Sequence, residues 1–263
     1  MGTRTSHAPG TFSWVDLQTT DVGAAKAFYS SLFGWDYDEI PMDEGAESYW
    51  MAKVEGEAVG ALGGLQAGTG IPPHWNSYVT VTSADETLAR VRELGGTVIG
   101  DAFDVFTAGR MGVLTDPTGA AVCVWEPRDN IGAGRVNDVG CLTWNELATN
   151  DPAAAANFLG ELFGWTFNEM DMGDGEAYRT IMNGERMNGG IRRQSEMEAG
   201  VPPNWLPYFT VEDADAAAAT VEQAGGRVLA PPMTLPTEGE PRIAIFMDPQ
   251  GAPFAVFAGP TED

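Results

Sequence analysis

The chain carries near its start the stretch Ser13-Trp14-Val15-Asp16-Leu17-Gln18-Thr19-Thr20-Asp21, which continues to Leu32-Phe33-Gly34-Trp35. Its first part alternates in polarity and contains β-branched and aromatic residues, which predicts a strand. Asp21 is of the residue type that caps a helix, and Gly34 is of the type that ends one. The stretch therefore predicts a strand, a capped turn and a short amphipathic helix.

The same pattern returns in the second half of the chain. Between Thr11–Trp35 and Cys141–Trp165, 11 of 25 positions are identical without a gap, so we interpret the 263 residues as a tandem duplication. At about 130 residues, each half is large enough to bury a core of its own. The predicted divisions are a flexible tail over 1–10, a first domain over 11–127, a polar linker over 128–139 and a second domain over 140–259.

Each half repeats one order of elements twice. After the first helix, apolar runs separated by Asp, Glu and Gly turns predict three further strands. A second unit follows Pro72-Pro73, where Ser83 and Glu86 have the spacing of a capping box before a helix. The proline pair recurs as Pro202-Pro203. The fold class predicted is therefore α+β, a tandem duplication with four β-α-β-β-β units.

Composition excludes several classes of function. The net charge of −24 argues against nucleic-acid binding, because phosphate contacts need a basic surface. No apolar run reaches the roughly 18 residues of a membrane span, and residues 1–10 lack the pattern of a secretory signal, so we expect a cytoplasmic protein. The acidity itself has two interpretations, a well-solvated surface or a field that attracts cationic ligands.

The chain resembles the vicinal oxygen chelate superfamily in the order of its features. These are the four units, the motifs Phe28-Tyr29 and Leu32-Phe33-Gly34-Trp35, and the late turn Asp116-Pro117-Thr118-Gly119. That group contains glyoxalases, bleomycin-resistance proteins and extradiol dioxygenases. The nearest resemblance is to two-module actinobacterial proteins labelled glyoxalase-like or hydroxylase. The resemblance implies a cupped mixed sheet in each domain, made from two units, with the ligand held in the cup.

Members of that superfamily that are enzymes hold a divalent metal with four side chains, usually His and Glu. The resemblance places those positions on Trp14, Gly60–Gly64, Asn76 and Cys123 in the first half. It places them on Trp144, Gly189-Gly190, Leu206 and Ala255 in the second. Indole has no lone pair for coordination, and apolar side chains cannot replace the hydration shell of a cation. The prediction is therefore that the chain has no metal site of the family type and no cofactor.

Strand alternation predicts which side chains share the concave face with these positions. The predicted arrangement is several aromatic residues around one carboxylate, which is typical of a small-molecule pocket. The predicted ligand-binding residues are Trp14, Asp16, Gln18, Asn76, Tyr78, Cys123 and Trp125 in the first half, and Trp144, Glu146, Leu206, Tyr208 and Phe257 in the second.

The leading functional hypothesis is a metal-free protein that binds an aromatic or cationic metabolite or antibiotic, as a monomer or homodimer. A second hypothesis is an enzyme of secondary metabolism, lyase-, isomerase- or oxygenase-like, with Asp16 or Glu146 as the general base. A third is a metal-dependent glyoxalase or dioxygenase. A purely structural role also stays open, with the carboxylate of each cup paired locally to an arginine such as Arg110, Arg192 or Arg193.

Overall fold

The computed structural model describes residues 2–41, 48–66, 68, 70–171 and 177–261. In the first half the elements are β1 Phe12–Thr19, α1 Val22–Phe33, β2 Asp36–Ile40, β3 Tyr49–Val54, β4 Glu57–Gly64, β5 His74–Thr80, α2 Ala84–Glu93, β6 Thr97–Val98, β7 Phe103–Val105, β8 Gly109–Thr115 and β9 Ala121–Pro127. In the second half they are β10 Leu142–Thr149, α3 Pro152–Phe163, β11 Thr166–Asp171, β12 Ala177–Asn183, β13 Arg186–Arg193, a 3-10 turn Glu196–Glu198, β14 Asn204–Thr210, α4 Ala214–Gln223, β15 Arg227–Thr234, β16 Arg242–Met247 and β17 Pro253–Ala258.

Each half forms one mixed sheet, which confirms the predicted fold class. The first sheet has the order β2-β3-β4-β1-β5-β9-β8-β6, with β7 beside β8, and the second has the order β11-β12-β13-β10-β14-β17-β16-β15. In each half the first strands of the two units pair antiparallel at the centre, with Asp16 opposite Asn76 and Glu146 opposite Leu206. The opening strand of each half therefore lies in the middle of its sheet.

The first helix shows why the opening stretch folds as predicted. The Asp21 carboxylate accepts a hydrogen bond from the Ala24 amide and caps α1. Gly34 ends the helix in the left-handed conformation, at φ 69°, which glycine adopts without a steric cost. The buried stripe of the helix includes Phe28 and Tyr29. Asp151 caps α3 and Gly164 ends it in the same way.

Each half buries a smaller apolar cluster of its own on the concave face of its sheet, but the two large cores are shared between the halves. Phe33 of α1 packs against Phe209 of the second half with ring centroids 5.0 Å apart. The Tyr29 hydroxyl donates to the Asp248 carboxylate across the same boundary. The second large core likewise joins the second unit of the first half to the third unit, around Phe158. The helices therefore cover the sheet faces of the opposite half as well as their own.

Residues 2–10, expected to be a flexible tail, are instead held by both the linker and the second half. The Arg4 amide donates to the Gly134 carbonyl, and the Trp165 indole donates to the Gly10 carbonyl. This correction has a physical reason, since buried backbone groups need hydrogen-bond partners and the tail supplies them.

The linker is also part of the packed structure. The Ala133 amide donates to the Ser13 carbonyl, and the Gly134 amide donates to the Ala58 carbonyl. The linker therefore closes the gap between the first residues of β1 and β4, and Ala133 packs into the concave face of the first sheet.

Across the described residues, no helix has the length and apolar character that crossing a membrane requires.

Candidate functional site

The concave face of the first sheet, here called the first cup, collects the alternating side chains of its central strands. Trp14, Asp16 and Gln18 point to this face from β1, because every second residue of a strand shares a face. The apolar and aromatic part of the first cup consists of Trp14, Ala61, Tyr78, Cys123, Trp125 and Ala133, with Tyr49, Met51, Ala58, Val105, Ala108, Met111, Val113 and Val136 packed against them.

The centre of the first cup is the carboxylate of Asp16, which is 4% exposed. Its Oδ2 accepts from the hydroxyls of Tyr78 at 2.8 Å and Tyr49 at 3.1 Å. Its Oδ1 accepts from the amides of Asn76 at 2.9 Å and Gln18 at 3.3 Å. Each oxygen therefore takes two bonds, which matches the acceptor capacity of a carboxylate.

The groups around this carboxylate are neutral donors. Burial, followed by the nearby charge of Asp16, holds the pKa values of Tyr49 and Tyr78 well above the ordinary range, so both hydroxyls stay protonated. The same two causes raise the pKa of the Cys123 thiol, which is 2% exposed. Cys123 is therefore a buried, unreactive thiol at neutral pH.

The concave face of the second sheet, the second cup, repeats the arrangement with one change. Its carboxylate is Glu146, which accepts from the hydroxyls of Tyr178 and Tyr208, both at 3.2 Å. Arg192 Nε lies 2.8 Å from Glu146 Oε1, and the same guanidinium makes a two-point pair with Glu198. In the second cup a cation of the chain itself neutralises the carboxylate.

Two positions exchange roles between the cups. In the first cup Gln18 pairs with Gly63 across β1 and β4, and a Cβ on Gly63 would lie 3.3 Å from the Gln18 amide nitrogen. In the second cup the same pair is Ala148 and Arg192. The space beside the carboxylate is therefore filled by a neutral amide from the central strand in one cup and by a guanidinium from its neighbour in the other.

The predicted site residues are brought together in both cups. All of those predicted in the first half line the first cup, and all of those predicted in the second half line the second cup. Their role in ligand binding stays a prediction. Tyr49 and Tyr178 were not among the predicted residues, although their hydroxyls bond the carboxylates and also accept from the indoles of Trp14 and Trp144. These tyrosines are 129 positions apart rather than 130, so an ungapped comparison of the halves does not align them.

The donor set does not fit the metal centre that the superfamily implies. The corresponding positions carry Trp14, Asn76 and Cys123 with small residues of β4, and the buried thiol keeps its proton. Among the described residues, no group of three or more His, Cys, Asp or Glu side chains could hold a metal ion. A divalent cation prefers charged or imidazole ligands, and the described part of the first cup offers it one carboxylate, that of Asp16.

Access to the first cup is restricted. Trp14, Tyr78 and Trp125 are buried, whereas Gln18 and Asn76 are half-buried. Two surface depressions of about 420 and 370 Å³ lie outside both cups, beside the 194–202 loop and the start of α1.

The arrangement of two cupped sheets places the chain in a known structural class. The Mn(II)-bound glyoxalase from Novosphingobium aromaticivorans superimposes with a TM-score of 0.67 at 17% identity, over 95% of this chain and 82% of that chain. The 2,3-dioxygenase LapB from Pseudomonas sp. KL28 gives 0.67 at 13% identity, over 97% and 96%. These similarities show the vicinal oxygen chelate fold.

Sequence comparison identifies the family within that class. A family model described as "Glyoxalase-like domain" matches residues 14–125 and again 144–257. The "Putative glyoxylase CFP32" of Mycobacterium tuberculosis is 45% identical over 97% of both chains. The "Anthracycline biosynthesis protein DnrV" of Streptomyces peucetius is 32% identical over 96% of this chain and 94% of its own. The chain belongs to the glyoxalase-like family.

Proposed function

We propose that the protein binds a small aromatic molecule in its first cup, without a metal. The observation that carries this proposal is the buried Asp16 carboxylate, held by four neutral donors inside an aromatic wall. An apolar cavity wall with a few fixed polar groups is the usual composition of a small-molecule site.

The weakest of the four contacts suggests how a ligand reaches the carboxylate. Gln18 donates at 3.3 Å and its side chain is half-buried, so a ligand donor can replace its amide. Trp14 and Trp125 belong to the same apolar cluster of the first cup, and their indole rings would favour a planar ring system.

The names of two relatives support the choice of an aromatic ligand. The relatives from Streptomyces peucetius and Streptomyces sp. strain C5, each 32% identical, are named anthracycline biosynthesis proteins. Anthracyclines are fused-ring aromatic compounds. We therefore take a planar polycyclic compound as the ligand class for this chain.

Titration with an anthracycline, followed by tryptophan fluorescence, tests the proposal. We expect saturable quenching that Trp14→Phe reduces. Trp165→Phe serves as the matched control, because Trp165 packs in the second large core, away from the cups. Unchanged emission up to the solubility limit of the compound, in protein with a native circular dichroism spectrum, would reject the proposal.

A second candidate is catalysis, because a relative at 45% identity bears the name glyoxylase. In an enzyme without metal, Asp16 would act as the base after Gln18 gives up its bond to the carboxylate. Glu146 suits that role less, since the Arg192 guanidinium already occupies its Oε1 at 2.8 Å. A glyoxalase assay with and without added Mn(II) separates the candidates. Turnover that depends on Asp16 favours the enzyme, and turnover that depends on the metal overturns the metal-free interpretation.

A further inference from the structure

The two cups differ in how the charge of their buried carboxylate is balanced. Arg192 neutralises Glu146 in the second cup. In the first cup, the hydrogen-bond partners of Asp16 among the described residues are all neutral. The positions that the structure leaves undescribed, which are 1, 42–47, 67, 69, 172–176 and 262–263, contain no Lys, Arg or His in the sequence.

Removing a charged group from water without a counter-charge is costly, even when hydrogen bonds offset part of the cost. The internal repeat shows which group is missing from the first cup, because Gly63 stands where the second cup has Arg192. His74, opposite Gln18 on β5, turns its ring nitrogen to the Pro72 carbonyl. In the first cup the Gln18 amide therefore lies beside the carboxylate where the second cup has the Arg192 guanidinium.

We infer that the first cup selects ligands with a protonated amine or similar cation, which takes the place that the Arg192 guanidinium has in the second cup. This inference rests on the proposed function and names the chemical class of its ligand. The second cup, closed by its own arginine, does not bind such ligands. The aromatic walls add to the selection, since ring faces attract cations.

A pair of probes tests this inference: 2-naphthylmethylamine, which is protonated near neutral pH, and 2-naphthylmethanol, its neutral counterpart of similar shape. By titration calorimetry, we expect the native protein to bind one equivalent of the amine about tenfold or more tightly than the alcohol, as expected for a hydrogen bond to a charged group. Equal affinity for the two probes would overturn the inference and leave the proposed function standing. Binding of neither probe would overturn both.

Variants that exchange the cups provide a matched control. Gln18→Ala/Gly63→Arg copies Ala148 and Arg192 into the first cup, and we expect it to lose the preference for the amine. Ala148→Gln/Arg192→Gly copies the first cup into the second, and we expect it to keep the preference and to gain a second equivalent of bound amine. A preference for the amine that survives the first exchange would place the cation elsewhere and contradict the inference. Because the comparison of the two probes on the native protein needs no variant, it stays decisive if a variant fails to fold.

Discussion

Arg192 and Glu146 form an ion pair at 2.8 Å in the second cup, with their side chains 25% and 10% exposed. Removing one partner leaves the other charge desolvated and unpaired. We expect Arg192→Met to lower the free energy of unfolding by about 2–4 kcal/mol, somewhat below the range for fully buried pairs because part of the arginine is solvated. Urea unfolding measures the change. The double variant Glu146→Gln/Arg192→Met should lose less than the single one, and equal losses would argue against the pairing.

The Tyr78 hydroxyl donates to Asp16 at 2.8 Å, whereas its counterpart Tyr208 donates to Glu146 at 3.2 Å, beside an arginine. Removing the Tyr78 hydroxyl leaves a buried carboxylate oxygen with one bond fewer. We expect Tyr78→Phe to cost about 1–3 kcal/mol of unfolding free energy. Tyr208→Phe is the control and should cost less. If Tyr208→Phe lowers the unfolding free energy as much as Tyr78→Phe does, the hydrogen bond to Asp16 contributes no more to stability than the one to Glu146.

The shared cores predict how the two halves unfold. Because Phe33 packs on Phe209 and Tyr29 bonds Asp248, neither half can bury its helix without the other. We expect one cooperative transition in calorimetry of the whole chain. Residues 1–137 expressed alone should give no sharp monomeric transition. Two separate transitions, or an isolated half that melts cooperatively as a monomer, would contradict the shared cores.

The Arg192 guanidinium lowers the pKa of Glu198 from its ordinary value of 4.5 to about 2. A carboxyl whose pKa is depressed on folding stabilises the protein above its unfolded pKa, and this contribution is lost as the pH falls towards the folded pKa. We expect the stability difference between the native protein and Glu198→Gln to be constant above about pH 5 and to shrink between about pH 4.5 and 2. Urea unfolding at a series of pH values measures this difference. A constant difference across that window would contradict a stabilising Arg192–Glu198 ion pair.

Much of the fold and of the cups could be predicted from the sequence, for definite physical reasons. Every second side chain of a strand points to the same face, so placing Trp14 on the concave face also placed Asp16 and Gln18 there. Asp21 and Gly34 act only within their own helix, so their roles could be recognised locally.

Other features depend on distant pairings that a single sequence does not reveal. The sequence shows that the side of α1 with Phe33 is apolar. It does not show whether that side packs only on its own sheet or also on the other half, as it does in the structure. Tyr49 and Tyr178 follow a one-residue difference in length between the repeats, so their equivalence cannot be recognised without the structure. The choice of Arg192, rather than Arg110 or Arg193, as the partner of Glu146 depends on the pairing of β10 with β13.

A crystal structure of the protein soaked with 2-naphthylmethylamine is the decisive test of a cation site beside Asp16. We expect the naphthalene ring against Trp14 and Trp125, with the ammonium nitrogen about 3 Å from the Asp16 carboxylate and the Gln18 amide displaced. The second cup should keep its Arg192–Glu146 pair unchanged. Probe bound only in the second cup or at the surface depressions, with the four contacts of Asp16 intact at a saturating concentration, would contradict a cation site in the first cup.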